Sequence, residues 1–178
     1  MLTKTGNGTL RLVSDNSHGG TRVEGGVLEI ASFNRLGSSG RDLTLAGGAT
    51  LRALAGWAAP ANRQITLNAG GGTFNTNGFD TNVEDSVDGD AAGEGSLMKT
   101  GTGTFTLTGA NTYSGGTIID GGALLANNTT GSATGTGNVT INASGTLGGT
   151  GSVGGAVMVN LGGTVAPTCV TGGKALRW

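Results

Sequence analysis

The stretch LMKTGTGTFTLTGANTYSGGT, residues 97–117, is nearly a second writing of LTKTGNGTLRLVSDNSHGGT, residues 2–21. Leu2 matches Leu97, Lys4 matches Lys99, Gly6 matches Gly101, Gly8 matches Gly103, Leu12 matches Leu107 and Asn16 matches Asn111. Ser114 has no counterpart, and the match resumes at Gly19-Gly20-Thr21 against Gly115-Gly116-Thr117. Both copies then run on to VEGGVL (23–28) and IDGGAL (119–124). Self-similarity in register over this length constrains the chain to an architecture whose structural unit is repeated.

A shorter unit fills the spaces between and after the long copies. LTLAGGATL (43–51), ITLNAGGGTF (65–74), VTINASGTL (139–147) and VMVNLGGTV (157–165) share one pattern, with starts 22 residues apart in the first pair and 18 in the second. Apolar residues alternate at period two, as Leu43 and Leu45 or Val139 and Ile141 do, and glycines between the runs permit a turn through positive φ. No 3.6-residue apolar stripe persists for more than a turn, and Gly and β-branched residues recur too often for helix. Strands of three to five residues without Asn-Gly or Asp-Gly turns do not make stable hairpins. A unit of about 20 residues can bury its inward face only by stacking on copies of itself. The expected fold is therefore all-β, a parallel β-helix (solenoid) of roughly eight coils on the order of 40 Å long, with a thin apolar core and Thr on outward positions.

Composition supports an ordered chain. With 38 glycines in 178 residues disorder is the rival, but 35% apolar residues and a net charge of -1 leave surface to bury and no charge excess to oppose it. The ten basic residues are scattered, which gives a phosphate backbone nothing to hold, so nucleic acid is not an expected partner. No run of about 18 apolar residues exists, and no membrane-spanning helix is expected. The N-terminus, MLTKTGNG, carries no signal peptide and enters at the first residue of a repeat, which reads as an excerpt of a longer gene product. Cys169 is alone and forms neither an internal disulfide nor a thiolate metal site.

LMKTGTGTFTLTGANTYSGGTIIDGGALLAN, followed by GSATGTGNVTINASGTLGGTGSVGGAVMVNLGGTVAP, resembles the passenger-associated strand repeat of bacterial autotransporters, the type V secretion proteins. The resemblance covers residues 97–167 and residues 2–30, and ITLNAGGGTFNTNGFDT between them is in the same style. It implies a right-handed β-helix within a passenger domain that a C-terminal barrel carries through the Gram-negative outer membrane, displayed at the cell surface or secreted. Family passengers include adhesins, proteases and cytotoxins, with the repeat usually serving as stalk. Residues 1–167 are expected to form one β-helical segment with long copies at 2–30 and 97–126. TCVTGGKALRW (168–178) departs from the family pattern and reads as an atypical tail.

Residues 78–96 carry Asp80, Glu84, Asp85, Asp88, Asp90 and Glu94 and break the beat, so an acidic loop excursion is expected there. ALAGWAAPANR (53–63) is irregular too, and Pro60 argues for a corner. Gly149, Gly151 and Gly154 fit G-x-G-x-x-G, but strand signals follow where the dinucleotide fingerprint needs a helix, so no cofactor is expected. The acids of 80–94 lack the order of a calcium loop and read as solvated, and no metal is expected. His18 stands where the other copy has Tyr113, which points to a semi-exposed packing position and not to a catalytic base. Glu24 and Asp120 hold equivalent places ahead of each Gly-Gly corner and read as structural. The rival class is a β-helical polysaccharide-active enzyme, which needs paired carboxylates beside aromatic platforms; only Trp57 offers a platform. The reading is a non-catalytic stalk or passenger segment, with no catalytic residues, that presents or contributes to adhesion toward a host or neighbouring cell. An adhesin module acting through 78–96 is the alternative, and uncapped strand edges at the ends invite end-to-end self-association.

Overall fold

The computed structural model describes residues 1–38, 42–90 and 94–167. The chain winds through short strands, coil upon coil. The first coil holds β1 (Leu2–Lys4) and β2 (Thr9–Arg11), and the second holds β3 (Thr21–Val23), β4 (Val27–Ile30) and a single 3-10 turn, Phe33–Leu36. Three coils of three strands follow: β5 (Leu43–Leu45), β6 (Ala49–Ala53) and β7 (Trp57–Ala59); β8 (Ile65–Leu67), β9 (Gly72–Asn75) and β10 (Thr81–Val83); β11 (Val87–Gly89), β12 (Leu97–Thr100) and β13 (Thr104–Leu107). The last coils keep two strands each: β14 (Thr117–Ile119) and β15 (Gly122–Ala126), β16 (Val139–Ile141) and β17 (Gly145–Gly149), β18 (Val157–Val159) and β19 (Thr164–Pro167).

Every strand pairs in parallel with its equivalent one coil away, in three sheets. The first sheet runs β1-β3-β5-β8-β11, the second β2-β4-β6-β9-β12-β14-β16-β18, and the third β7-β10-β13-β15-β17-β19. The eight strands of the second sheet make seven coil-to-coil steps, a column of about 34 Å at the usual spacing of neighbouring strands. The expected parallel β-solenoid is thus the observed fold, its eight coils amounting to about seven full turns.

The four short units each fold as two strands about a corner, as their alternation requires. Between β5 and β6 the turn is made by Gly47 and Gly48, at φ 61° and 72°. Side chains rarely adopt that region, so the Gly pair is what allows a corner after only three strand residues. Inward positions stack into a column: Leu28, Leu51, Phe74, Lys99, Ile119 and Ile141 follow one another in register along the second sheet. Phe74 and Phe105 stack across the interior with ring centroids 4.7 Å apart.

Two local expectations need correction. Residues 78–96 are not an excursion, since 81–83 and 87–89 are strands within the column and Thr81, Val83 and Val87 are buried. The acids take outward and corner positions, so charge density on the surface masked an intact inward alternation. Residues 91–93 lie outside the described residues. In ALAGWAAPANR, Trp57–Ala59 is a regular strand, and Pro60 begins the corner after it with its carbonyl accepting from Arg63 N at 3.1 Å. Trp57 is packed at 5.2 Å from Phe33 inside the core and is no exposed platform. The tail 168–178, with Cys169, lies outside the described residues.

The two long copies sit on different faces. The first straddles the corner between the first and second sheets, and the second straddles the corner between the second and third. What repeats is the corner, not the face.

Candidate interaction surface

Each copy of the long repeat builds the same polar core. Lys99, 0% exposed, lies in the inward row where the neighbouring coils place Phe74 and Ile119, and its stem packs in the column. Its ammonium reaches the corner and donates to the carbonyls of Thr100, Gly101 and Gly121 at 3.0, 2.9 and 2.9 Å. Lys4 does the same to Thr5, Gly6 and Gly25 at 3.4, 3.0 and 2.8 Å. No carboxylate pairs with either ammonium among the described residues. Burial pulls Lys99 down to about 8.

The position shared by His18 and Tyr113 has one job in both copies. His18 Nε2 meets Thr21 Oγ1 at 2.8 Å and Tyr113 Oη meets Thr117 Oγ1 at 2.7 Å. Thr21 Oγ1 passes the bond on to Leu36 O at 2.8 Å, and Thr117 Oγ1 to Thr134 O at 3.4 Å. His18 is semi-exposed, as expected, but Tyr113 is fully buried, and burial raises its pKa against the Thr117 hydrogen bond. Desolvation holds His18 below its ordinary value, aided by the charges of the N-terminus and Arg63. Asn111 adds a third tie, accepting from Val87 N at 2.7 Å and donating to Ala133 O at 2.5 Å. Sequence matching flagged these positions without their role; a lysine recurring at an inward-facing phase of an alternating strand was the available signal.

The outside of the column is a set of ladders. Along the second sheet Arg11, Glu29 and Arg52 stack, with Glu29 taking Arg11 Nε at 2.8 Å and Arg52 Nη1 at 3.1 Å. The hydrogen bond from Arg11 leads the effects that hold the Glu29 carboxyl below its usual range. A group with a lowered folded pKa contributes stability above its unfolded value and loses it as pH falls. Protection factors of the amides in β2, β4 and β6, which correct exchange for its intrinsic pH dependence, should therefore fall as pH is lowered through about 4.5 toward the folded pKa, and a Glu29→Gln variant should lack that step. Further along, Asn142 Nδ2 donates to Asp120 Oδ1 and Asn160 Nδ2 to Asn142 Oδ1, both at 2.8 Å. Glu24 pairs with Arg22 at 2.6 Å. Both residues ahead of the Gly-Gly corners are thus engaged by neighbours.

Asp80 and Asp88 are also held in place, chiefly by residues one coil away. Burial works to raise Asp88, yet hydrogen bonds from Thr112, Gln64 and Ser86 outweigh it and keep the carboxyl below its usual value. Asp80 is lowered by the Thr104 N–H, which donates to it at 2.9 Å. Among the described residues no three His, Cys, Asp or Glu side chains gather to hold a metal. Gly149 closes β17 and the next element is the strand β18, so the G-x-G-x-x-G run meets no helix. No helix of the described residues is long and apolar enough to cross a membrane.

One groove, of about 450 Å³, opens on the outer face of the second sheet beside β14 and β16. Ser114 and Gly116 border it on one side and Gly137 and Asn138 on the other, with Ile118 and Thr140 as floor. Ser114 is the residue without a counterpart in the first copy. The outward row through this floor reads Met98, Ile118, Thr140, Met158 in register. It can offer hydroxyl, amide and short apolar contacts without charge.

Column, corners and ladders define a repeat-built parallel β-solenoid. Residues 2–30 and 97–126, the two long copies, match the passenger-associated-transport-repeat family. The chain is 38% identical over 107 residues, 60% of its length, to the "Adhesin BmaC autotransporter" of Brucella suis biovar 1 (strain 1330), and spans 3% of that protein. No solved structure matches the chain.

Proposed function

We propose that this chain is a non-catalytic segment of an autotransporter passenger, turned right-handed, displayed at a bacterial surface or secreted, and contributing to adhesion. One observation carries the reading. Both passenger repeats turn a buried lysine and a His or Tyr to their corners, and the outer row Met98, Ile118, Thr140, Met158, with its groove, offers an uncharged contact surface beside the charged ladders. The likeness to a protein named an adhesin supports the same reading. The host or neighbouring-cell surface is the partner it entails.

The chain coupled to beads should attach to epithelial cells or to cells of its own species several-fold better than beads bearing an unrelated protein. Ile118→Arg with Thr140→Arg, both on outward positions, should remove most of that gain while leaving the β-sheet circular dichroism unchanged. Retention of attachment in this variant, with loss in Glu84→Gln, Asp85→Asn, Glu94→Gln, would move the contact to the acidic belt. Deleting 80–94 is unsuited to that comparison, because it would remove β10 and β11 from the column. Loss in neither variant would leave the segment a stalk. Cleavage of a polysaccharide that Asp88→Asn abolishes would overturn the non-catalytic part.

End-to-end association belongs to the same proposal. Met158, Val159 and Leu161 of the last described coil are 54, 49 and 98% exposed, and exposed apolar surface of this kind favours association of copies. Sedimentation of the 178-residue chain should show concentration-dependent association that Leu161→Glu weakens; a clean monomer at high concentration would count against it.

A further inference from the structure

We propose that Lys4 and Lys99 act as register keys: each buried ammonium, held by corner carbonyls of its own coil and one from the next, selects one stacking offset among those the repeat allows. The need for such a device follows from the sequence. Strands of three or four residues drawn from Leu, Ile, Val, Thr and Gly are nearly interchangeable, and a slip of two residues keeps every side chain on its own face. Hydrophobic burial barely penalises that slip. A two-residue slip does, however, carry a partner carbonyl about 6.6 Å along the strand, well out of reach of a hydrogen bond.

The partner chosen by each lysine shows which feature it reads. Lys4 reaches Gly25, 21 residues on, and Lys99 reaches Gly121, 22 residues on. Ser114 lengthens the second coil by one residue, yet both ammonium groups find the first glycine of the Gly-Gly corner. The bond follows the motif and not the chain separation. Both lysines also stand in rows that are otherwise apolar: Lys4 is in register with Val23 and Leu45, and Lys99 with Phe74 and Ile119. An apolar residue would fill either place without specifying an offset.

Disulfide trapping reads the offset directly. In a Cys169→Ser background, Met98→Cys with Ile118→Cys joins outward residues that are in register. Met98→Cys with Asp120→Cys reports a two-residue slip, because those Cα atoms stand about 8 Å apart in the native column, beyond disulfide reach. With Lys99 present the in-register pair should oxidise at least tenfold more completely than the slipped pair. Adding Lys99→Met should raise the slipped product about tenfold or more. Cross-linking confined to the in-register pair in Lys99→Met would overturn the proposal.

Should Lys99→Met fail to fold, deleting Ser114 with Lys99 retained tests the same idea. The proposal expects Met98→Cys to keep Ile118→Cys, in native numbering, as its partner. Cross-linking of Met98→Cys to Asp120→Cys, the two-residue slip, as complete as to Ile118→Cys would overturn it.

Discussion

Lys99→Met is expected to lower stability by about 2–4 kcal/mol, more than an ordinary substitution at a surface lysine could. Methionine replaces the stem's packing, so the loss is polar. The Thr100 carbonyl keeps a donor in Thr76 N at 3.1 Å, but among the described residues the Gly101 and Gly121 carbonyls have only the ammonium. A buried acceptor left unpaired costs about 1–3 kcal/mol, and relief from burying a cation offsets part of the sum. Chemical denaturation followed by circular dichroism measures the difference. Amide exchange should place the damage in β12 to β15.

The same lysine has a pH signature whose sign follows from its depressed pKa. The folded group titrates near 8 and the unfolded one near 10.5, so between those values the unfolded chain holds a proton that the folded chain has shed. Stability then rises with pH in that window, and the deficit of Lys99→Met relative to the parent should widen from pH 8 to 10.5 and be flat below 8. A deficit that narrows would mean that the carbonyls hold the ammonium more firmly than burial expels it.

Much of this fold was legible because its rules are local. Alternation such as Leu43-Thr44-Leu45 states which side faces inward, and a Gly pair after three strand residues states where the chain must turn. Recurrence of both at about 20 residues leaves little besides stacking. The readings that failed did so where surface chemistry distracted from the inward rhythm: Asp80, Glu84 and Asp85 suggested a loop around Thr81-Asn82-Val83, where Thr81 and Val83 face inward and only Asn82 faces out. Trp57 looked like a platform because no local rule says that Phe33, 24 residues earlier, lies against it. The lysine cages were illegible for the opposite reason. Their acceptors are backbone carbonyls, which every residue carries, so composition holds no trace of them. Only the coincidence of Lys4 with Lys99 at an inward phase marks the place. The groove beside Thr140 is equally a product of assembly, arising where Ser114 and Asn138 from successive coils meet.

Gly122→Ala should be at least as damaging as the lysine change, at about 2–5 kcal/mol, and Gly26→Ala should match it in the first copy. Gly122 and Gly26 both sit at φ 65°, where a side chain costs about 1–2 kcal/mol through its own backbone. Contact between coils costs more. A Cβ on Gly122 would overlap the carbonyl oxygens of Gly101 and Gly103 in the coil below, and one on Gly26 would overlap those of Gly6 and Gly8. These obstacles are backbone, which cannot rotate aside, so the coils must part and the bond from Ala123 N to Gly103 O must stretch. Gly121 and Gly25, one residue earlier, lie outside the positive-φ region and have more room, with the nearest atoms at 3.6 and 3.5 Å. Gly121→Ala should therefore change stability by less than about 1 kcal/mol. The contrast between neighbouring glycines separates a tight corner from general sensitivity of the repeat. Equal losses at Gly121 and Gly122 in parallel denaturation curves would show that the close approach of the coils is not what the second glycine serves.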